Sequence, residues 1–345
     1  MKTKSFLQFA GPSVALMLLL LAAPLLTTFY LSMRNCALEM EMVMIEESTP
    51  FGKQQTLTQR AKLDGNGKAI KNCSFVGLSY YRKVLGLDDA AVATGAAPPE
   101  ADGAAAAGSP KVLSERADNE FMGALRFTLI YTFVTLPFVL GIGFLMALGV
   151  NGVTQKLKGA IISASLLPFI ITPVVAALSI KWLFRDNGLV PYLLSNFGIQ
   201  VFWMAEAWSA RALIIVYGIW HVVPFAFIVL YAGLQSVPQD SLEAATIDGA
   251  TRWQKLRYVT LPHLAPLLVF ITLIHLMDAY RVFEPVMVLT QGAFTTSVQY
   301  LTYHILISEN NPYKASAAAV LTLGGILVLL VPLLVKTWRE QKKGL

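Results

Sequence analysis

The sequence predicts an all-α integral membrane protein with six transmembrane helices, and three observations carry that prediction. The first is composition: 55% of the 345 residues are hydrophobic and only 14% are charged, with a mean hydropathy of +0.58. About a quarter of residues are charged in a soluble domain. The second is a set of apolar runs of about the 20 residues needed to cross the hydrocarbon core: Phe9 to Tyr30, Phe127 to Val150, Ala160 to Phe184, Leu213 to Leu234, Leu264 to Phe283 and Ala315 to Val335. The third is the placement of Lys and Arg. Lys2 and Lys4, Lys156 and Lys158, Arg252, Lys255 and Arg257, and Lys336, Arg339, Lys342 and Lys343 all fall on one side of the membrane. The opposite short loops carry little beyond Arg185, Arg211 and Lys314. By the positive-inside bias the basic side is cytoplasmic and holds both termini. A net charge of +6 spread over the ends of apolar runs is not the single basic stripe that nucleic acid requires.

The chain then divides into an N-terminus and first span (1–33), an extracytoplasmic loop (34–120), a five-helix core (121–337) and a cytoplasmic tail (338–345). The first run begins after two lysines and contains Ala22-Ala23, as a signal peptide does, but it continues through Pro24 to Tyr30. That exceeds the usual signal core, and losing it would put the other spans out of register with the charge bias, so it reads as a retained span.

The long loop changes character along its length. Its stretch Ala90 to Pro110 is rich in Ala, Gly and Pro, which buries too little apolar surface to offset ordering entropy; disorder is expected there, with partner docking as the other reading. Cys36 and Cys73 both lie in this loop. An oxidising compartment permits a bridge between them, and two free thiols remain the alternative because sequence does not show whether their Cα atoms approach.

The cytoplasmic loop 235–263 carries Glu243-Ala244-Ala245-Thr246-Ile247-Asp248-Gly249-Ala250 and then Leu261-Pro262 and Pro266. Pro238 suits a first helical turn, Asp240 and Glu243 follow where the helix dipole favours acids, and Gly249 is placed to end the helix in a left-handed conformation. A short helix from Val237 to Asp248 is expected. Ala244 and Ala245 let a facing surface approach closely, and Leu261-Pro262 restarts the chain into the next span.

The fifth span carries His275, Asp278, Arg281 and Glu284 at three-residue steps. Each is costly in hydrocarbon unless paired or facing water, so they are expected to face inward, with Asp278 about 20 Å along the span. Two readings stay open: a ladder of ion pairs that fixes helix packing, or contact with a transported ligand. In the fourth span, Tyr217, Trp220, His221, Phe225 and Tyr231 offer aromatic faces beside polar groups, which suit sugars but equally serve packing. Asn187 to Arg211, with Trp203, Glu206 and Trp208, reads as an interfacial element on the outer face. No phosphate loop of the G-x-x-x-x-G-K-[ST] kind occurs; Gly65-Asn66-Gly67-Lys68 lacks the spacing, and the histidines form no metal pattern. No catalytic or metal-ligating residue is assigned.

The pattern Glu-Ala-Ala, three residues, Gly, then Leu-Pro resembles the EAA loop of permease subunits in binding-protein-dependent ABC importers. Further resemblances are to the carbohydrate, or maltose and glycerol-phosphate, class: Ser74 to Leu85, with Tyr80 where Asn is usual; Thr128 to Tyr131; Leu167-Pro168; Trp182 with Gly188-Leu189; Trp220; Ala232 to Gln235; Arg281 to Glu284; and Ala317 to Ala319. They cover nearly everything outside two insertions, about 35–72 and 86–119. Gln291-Gly292-Ala293 stands where the family often has Gly-Gly-Gly-Pro, and Glu284 where it often has Asp. The resemblance implies a type I ABC importer permease fold in a bacterial inner membrane. It implies a second homologous permease, two ATPase subunits, an extracytoplasmic solute-binding protein and surrounding lipid as partners. No cofactor is then expected on this chain, with ATP and Mg used by the ATPases, and Glu243, Ala244, Ala245, Asp248, Gly249, Leu261 and Pro262 become the ATPase-coupling residues. An ion-gradient-driven secondary transporter, using the fifth-span charges as a relay, is the competing class.

Overall fold

A computed structural model describes residues 3–49, 52–62, 64, 71–87 and 120–343. Lys2, the Gly65-Asn66-Gly67-Lys68 stretch and Ala90 to Pro110 lie outside the described residues. Two compact units are present, one formed by 1–109 with 305–321 and the other by 110–304 with 322–345.

In the first unit, α1 (Thr3–Ser32) contains a candidate span, Gly11–Ser32, none of whose apolar window is buried against the chain. The long loop after α1 contains strands. β1 (Arg34–Leu38) pairs antiparallel with β4 (Lys71–Phe75), and β2 (Met40–Thr49) pairs with β3 (Gly52–Ala61). Cys36 sits directly opposite Cys73 in the first pair, and a disulfide joins them across 37 residues of sequence. Closing a loop of that length removes about 4 kcal/mol of chain entropy from the unfolded segment. A short helix, α2 (Ser79–Val84), follows, and the Tyr81 hydroxyl lies 2.6 Å from Ser32 Oγ at the end of α1. Thiol alkylation of the intact chain is expected to label neither cysteine before reduction and both after it; label on the unreduced protein would contradict the pairing.

The second unit is helical. α3 (Glu120–Asn151) is followed by α4 (Gln155–Ile170), α5 (Pro173–Phe184) and α6 (Leu189–Ser195). The third expected span, Ala160 to Phe184, is therefore not one helix. The chain turns by 94° between α4 and the segment from Pro173, because Pro disfavours helical ψ in the residue before it. Thr172 has ψ 140 and Ile171 ψ 132.

The fourth span, α7 (Ala207–Gln235), is the central element. Its buried positions Ala210, Leu213, Ile214, Tyr217, Phe227, Leu230 and Gly233 follow helical spacing. Leu213, Ile214 and Tyr217 pack with Phe127, Tyr131, Val282, Val286 and Leu289, and Phe227 and Leu230 with Val139, Ala147, Val150 and Ile271. The outward faces stay apolar too, with Ile130, Phe133, Phe138, Leu145 and Val216 exposed, as a surface against lipid requires. Buried Thr128, Thr132 and Thr135 on α3 each donate to the carbonyl four residues back, at 2.8 Å, so none of these three hydroxyls is stranded.

After α7 come α8 (Gln239–Ile247), α9 (Arg252–Lys255), a π-helical turn (Leu256–Thr260) and α10 (Leu261–Tyr280). Residues 252–280 run as one continuous apolar helix, so Leu261-Pro262 lies within a helix rather than restarting one. Pro262 cannot donate a backbone hydrogen bond, and the widened turn immediately before it accommodates the missing donor. A second π-helical turn (Val286–Thr290), α11 (Val298–Ile307) and α12 (Pro312–Lys343) complete the described chain.

Candidate coupling segment and central cleft

Of the expected coupling residues, Glu243, Ala244 and Ala245 lie on α8, Asp248 and Gly249 follow its last turn, and Leu261 and Pro262 open α10. α8 spans Gln239–Ile247, slightly shorter than the expected Val237 to Asp248, because Pro238 serves as its N-cap at ψ 125. None of its residues is buried. At its far end Asp248 N donates to Ala244 O, Gly249 N to Thr246 O and Ala250 N to Ala245 O, with Gly249 at φ 74. These bonds satisfy the orphaned carbonyls of the last turn, and only a residue that tolerates left-handed backbone closes them. Thr251 and Gln254 then form a reciprocal capping box, and Lys255 Nζ reaches back 2.7 Å to Thr246 Oγ1, which fixes α8 against the start of the next helix.

Glu243, Ala244, Asp248, Gly249, Leu261 and Pro262 are exposed, and Ala245 is half-buried. Beside them Ile247 is 87% exposed, Trp253 67% and Tyr258 69%. Three large exposed apolar side chains at one short segment form a candidate interaction surface. Trp253 and Tyr258 belong to no motif in the sequence; an aromatic just outside an apolar run is the signal they give.

The candidate pathway residues Tyr217, His221, His275, Asp278, Arg281 and Glu284 all line one cleft of about 350 Å³ between α7, α10 and the segment after α10. Tyr131, Phe169 and Phe225 complete its aromatic wall. The Tyr217 hydroxyl donates 2.8 Å to the Pro173 carbonyl, at the break in the third span, and its ring stacks on His221 at 5.7 Å and 9°. Phe169 stacks on Phe225 at 5.8 Å. His275 is 2% exposed, with Nε2 2.9 Å from Thr135 Oγ1 and Nδ1 without a partner among the described residues. Trp220 packs 6.2 Å from Tyr217 but is not part of the wall.

Two expectations change here. α10 ends at Tyr280, so Arg281 sits on the turn beyond it and Glu284 opens the next helical segment, rather than both continuing one helical face. Asp278, Arg281 and Glu284 also form no ion pair among the described residues. Asp278 and Arg281 are exposed, and Glu284 is half-buried. Among the described residues these three side chains therefore line the cleft without an ion-paired ladder. On the segment between α6 and the start of α7, Trp203 packs edge-on against Phe184 at 5.1 Å, and Trp208 donates to Glu206 at 2.6 Å.

A bundle with an exposed short helix between two long spans and a polar cleft beside the central span is the arrangement of a transport subunit. The family model of the binding-protein-dependent transport system inner membrane component matches residues 117–343. The chain belongs to that family. Among relatives of this permease is a probable ABC transporter permease, y4oQ, of Sinorhizobium fredii, 27% identical over 96% of this chain and 89% of that protein. The trehalose/maltose transport system permease MalF of Thermococcus litoralis is 33% identical over 56% of this chain and 66% of its own. The trehalose transport system permease SugA of Mycobacterium tuberculosis is 34% identical over 61% and 68%. Among solved structures, a bacterial ABC transporter that imports the acidic polysaccharide alginate superposes with a TM-score of 0.59 at 27% identity, covering 64% of this chain and 79% of that one. The permease is thus a multi-pass membrane protein with the type I ABC importer fold.

Proposed function

We propose that this permease is a transmembrane subunit of an ATP-driven importer for a sugar or sugar derivative, working by coupling rather than catalysis. The observation that carries the reading is α8: a helix with no buried residue, terminated by a left-handed Gly249 and joined at each end to a long span. A push on α8 is transmitted directly into α7 and α10, the two helices that wall the cleft. ATP and Mg belong to two partner ATPases whose closure moves α8, through Glu243, Ala244, Ala245, Asp248, Gly249, Leu261 and Pro262. Such a switch requires that ATP favour one of two global states over the other. A second homologous permease completes the pathway, and an extracytoplasmic binding protein delivers the ligand. Both termini face the cytoplasm. The relatives that transport trehalose, maltose and arabinooligosaccharides and the aromatic wall of the cleft support a carbohydrate cargo.

The test is purification of the tagged chain in mild detergent, with mass spectrometry of co-purifying subunits and an ATPase assay. The wild type is expected to bring down an ATPase and a second permease, and Glu243→Lys to lose most of the ATPase at unchanged chain yield. A chain that purifies alone and transports on an ion gradient without ATP overturns the reading in favour of a secondary transporter.

A further inference from the structure

A second cavity, of about 630 Å³, lies at the end of the helical core remote from α8. The order of lining residues along two helices places it. On α7, Arg211 lines this cavity, Tyr217, Gly218, His221, Val222 and Phe225 line the cleft, and Gln235 leads to α8. On α3, Glu120, Ala124 and Phe127 line the outer cavity, and Tyr131, one turn further, lines the cleft. Between the two lies the buried layer that includes Leu213, Ile214, Val282 and Val286.

The outer cavity is bounded by a strained segment. Gln291 has φ 51 and Phe294 φ 60, and left-handed backbone at a bulky aromatic is an outlier that persists only where the surroundings impose it. The surroundings here are side chains from neighbouring helices. Arg211 Nε donates 3.0 Å to the Phe294 carbonyl, and the Tyr300 hydroxyl donates 2.7 Å to the Gln291 carbonyl. Phe294 is left 46% exposed in the cavity wall rather than packed into the core. Beside it stand Tyr300 and His304, with ring centroids 6.4 Å apart, and the exposed Gln291 and Glu120. Only Nε of Arg211 is engaged by the loop among the described residues.

Strain of this kind concentrates where it serves binding. What it presents here is ring faces interleaved with hydroxyl-seeking groups: a guanidinium, an amide, an imidazole and a carboxylate. Sugars offer apolar CH faces beside hydroxyls, which fit that set. The opposite charges of Arg211 and Glu120 balance, which favours a neutral saccharide over an acidic one. We infer that this outer cavity is a subsite for neutral oligosaccharides, separate from the cleft and filled by the chains long enough to reach both. The inference rests on the carbohydrate reading above. When the buried layer parts during transport, a long chain touches both sites, whereas a short one fits the cleft alone.

The test uses the complete importer, with its ATPases and binding protein, reconstituted into proteoliposomes. The probes are short and long neutral oligosaccharides of the α-glucan, arabinan and mannan series. Two variants are compared: Phe294→Asn, which keeps a residue tolerant of left-handed backbone, and His304→Ala, which leaves the strained segment untouched. Each is expected to raise KM for the long members about tenfold, the scale of one lost ring contact. Uptake of the disaccharides and binding-protein-stimulated ATP hydrolysis stay at wild-type levels. Unchanged KM at every length overturns the inference. Equal losses at every length together with lost ATPase stimulation also overturn it, and assign the cavity to docking of the binding protein. A wild type that takes up no member of any series overturns the carbohydrate reading and the subsite with it, a result distinct from either of the others.

Discussion

Replacing Gly249 with valine is expected to reduce ATP-driven uptake at least tenfold while the chain inserts and accumulates as the wild type does. The reason is conformational. An added Cβ at Gly249 meets nothing within 4 Å, so no clash arises, but the residue sits at φ 74. Left-handed backbone costs an L-residue about 1–2 kcal/mol, and more for one branched at Cβ. That penalty falls on a short exposed helix with no buried residue to resist it, so the bonds from Asp248, Gly249 and Ala250 to the last-turn carbonyls are lost before anything in the membrane is disturbed. A graded series separates this account from a merely bulky surface substitution. Gly249→Asn, which tolerates left-handed backbone, is expected to retain most uptake, Gly249→Ala an intermediate level, and Gly249→Val the least. Uptake and ATP hydrolysis, measured side by side in membranes with equal chain content, decide it. Wild-type uptake by the valine variant removes α8 from the coupling path.

The prediction draws on a part of the molecule that was legible in the sequence. Pro238, Asp240 and Gly249 mark a helix start and stop by local backbone chemistry, which acts in the same way whatever the tertiary context. The spans were legible for a related reason, since a membrane imposes one length on every crossing helix. The cleft residues His275, Asp278 and Glu284 stood out because ionisable groups in an apolar run must find water or a partner.

What was not legible depends on backbone direction and on distant partners. The run from Ala160 to Phe184 is almost continuously apolar, and hydropathy does not register that Pro173 disfavours helical backbone at Thr172, where the chain is extended together with Ile171. The strands around Cys36 and Cys73 gain their pairing from each other across the loop, not from a strong local pattern. The distinction between a ladder of ion pairs and charges facing a cleft turned on where α10 ends, at Tyr280, one residue short of Arg281. Phe294 gives no sign in sequence of its left-handed backbone, because the groups that hold it, Arg211 and Tyr300, come from α7 and α11.

Tyr131 is the clearest case of a site residue that only packing reveals, and it carries the other large prediction. It is 5% exposed, lies in the wall of the cleft and stacks with Phe127, yet in sequence it is one tyrosine in an apolar run. Its place depends on Gly218 of α7: a Cβ added there runs into the Tyr131 hydroxyl and ring. Gly218→Ala therefore overpacks the contact between α3 and α7, at a cost of about 1–3 kcal/mol. Because Tyr131 moves rather than a lipid-facing side chain, transport is expected to fall together with thermal stability in detergent. Tyr131→Phe removes the oxygen that meets the new methyl group first, so the double variant Gly218→Ala with Tyr131→Phe is expected to regain part of the lost stability. A coupling energy of about 0.5–3 kcal/mol is the range for residues in direct contact. Melting curves of the four proteins of that cycle measure it. Strict additivity would mean that the two helices separate to admit the methyl group, and the cleft wall would then owe its shape to some contact other than Gly218 against Tyr131.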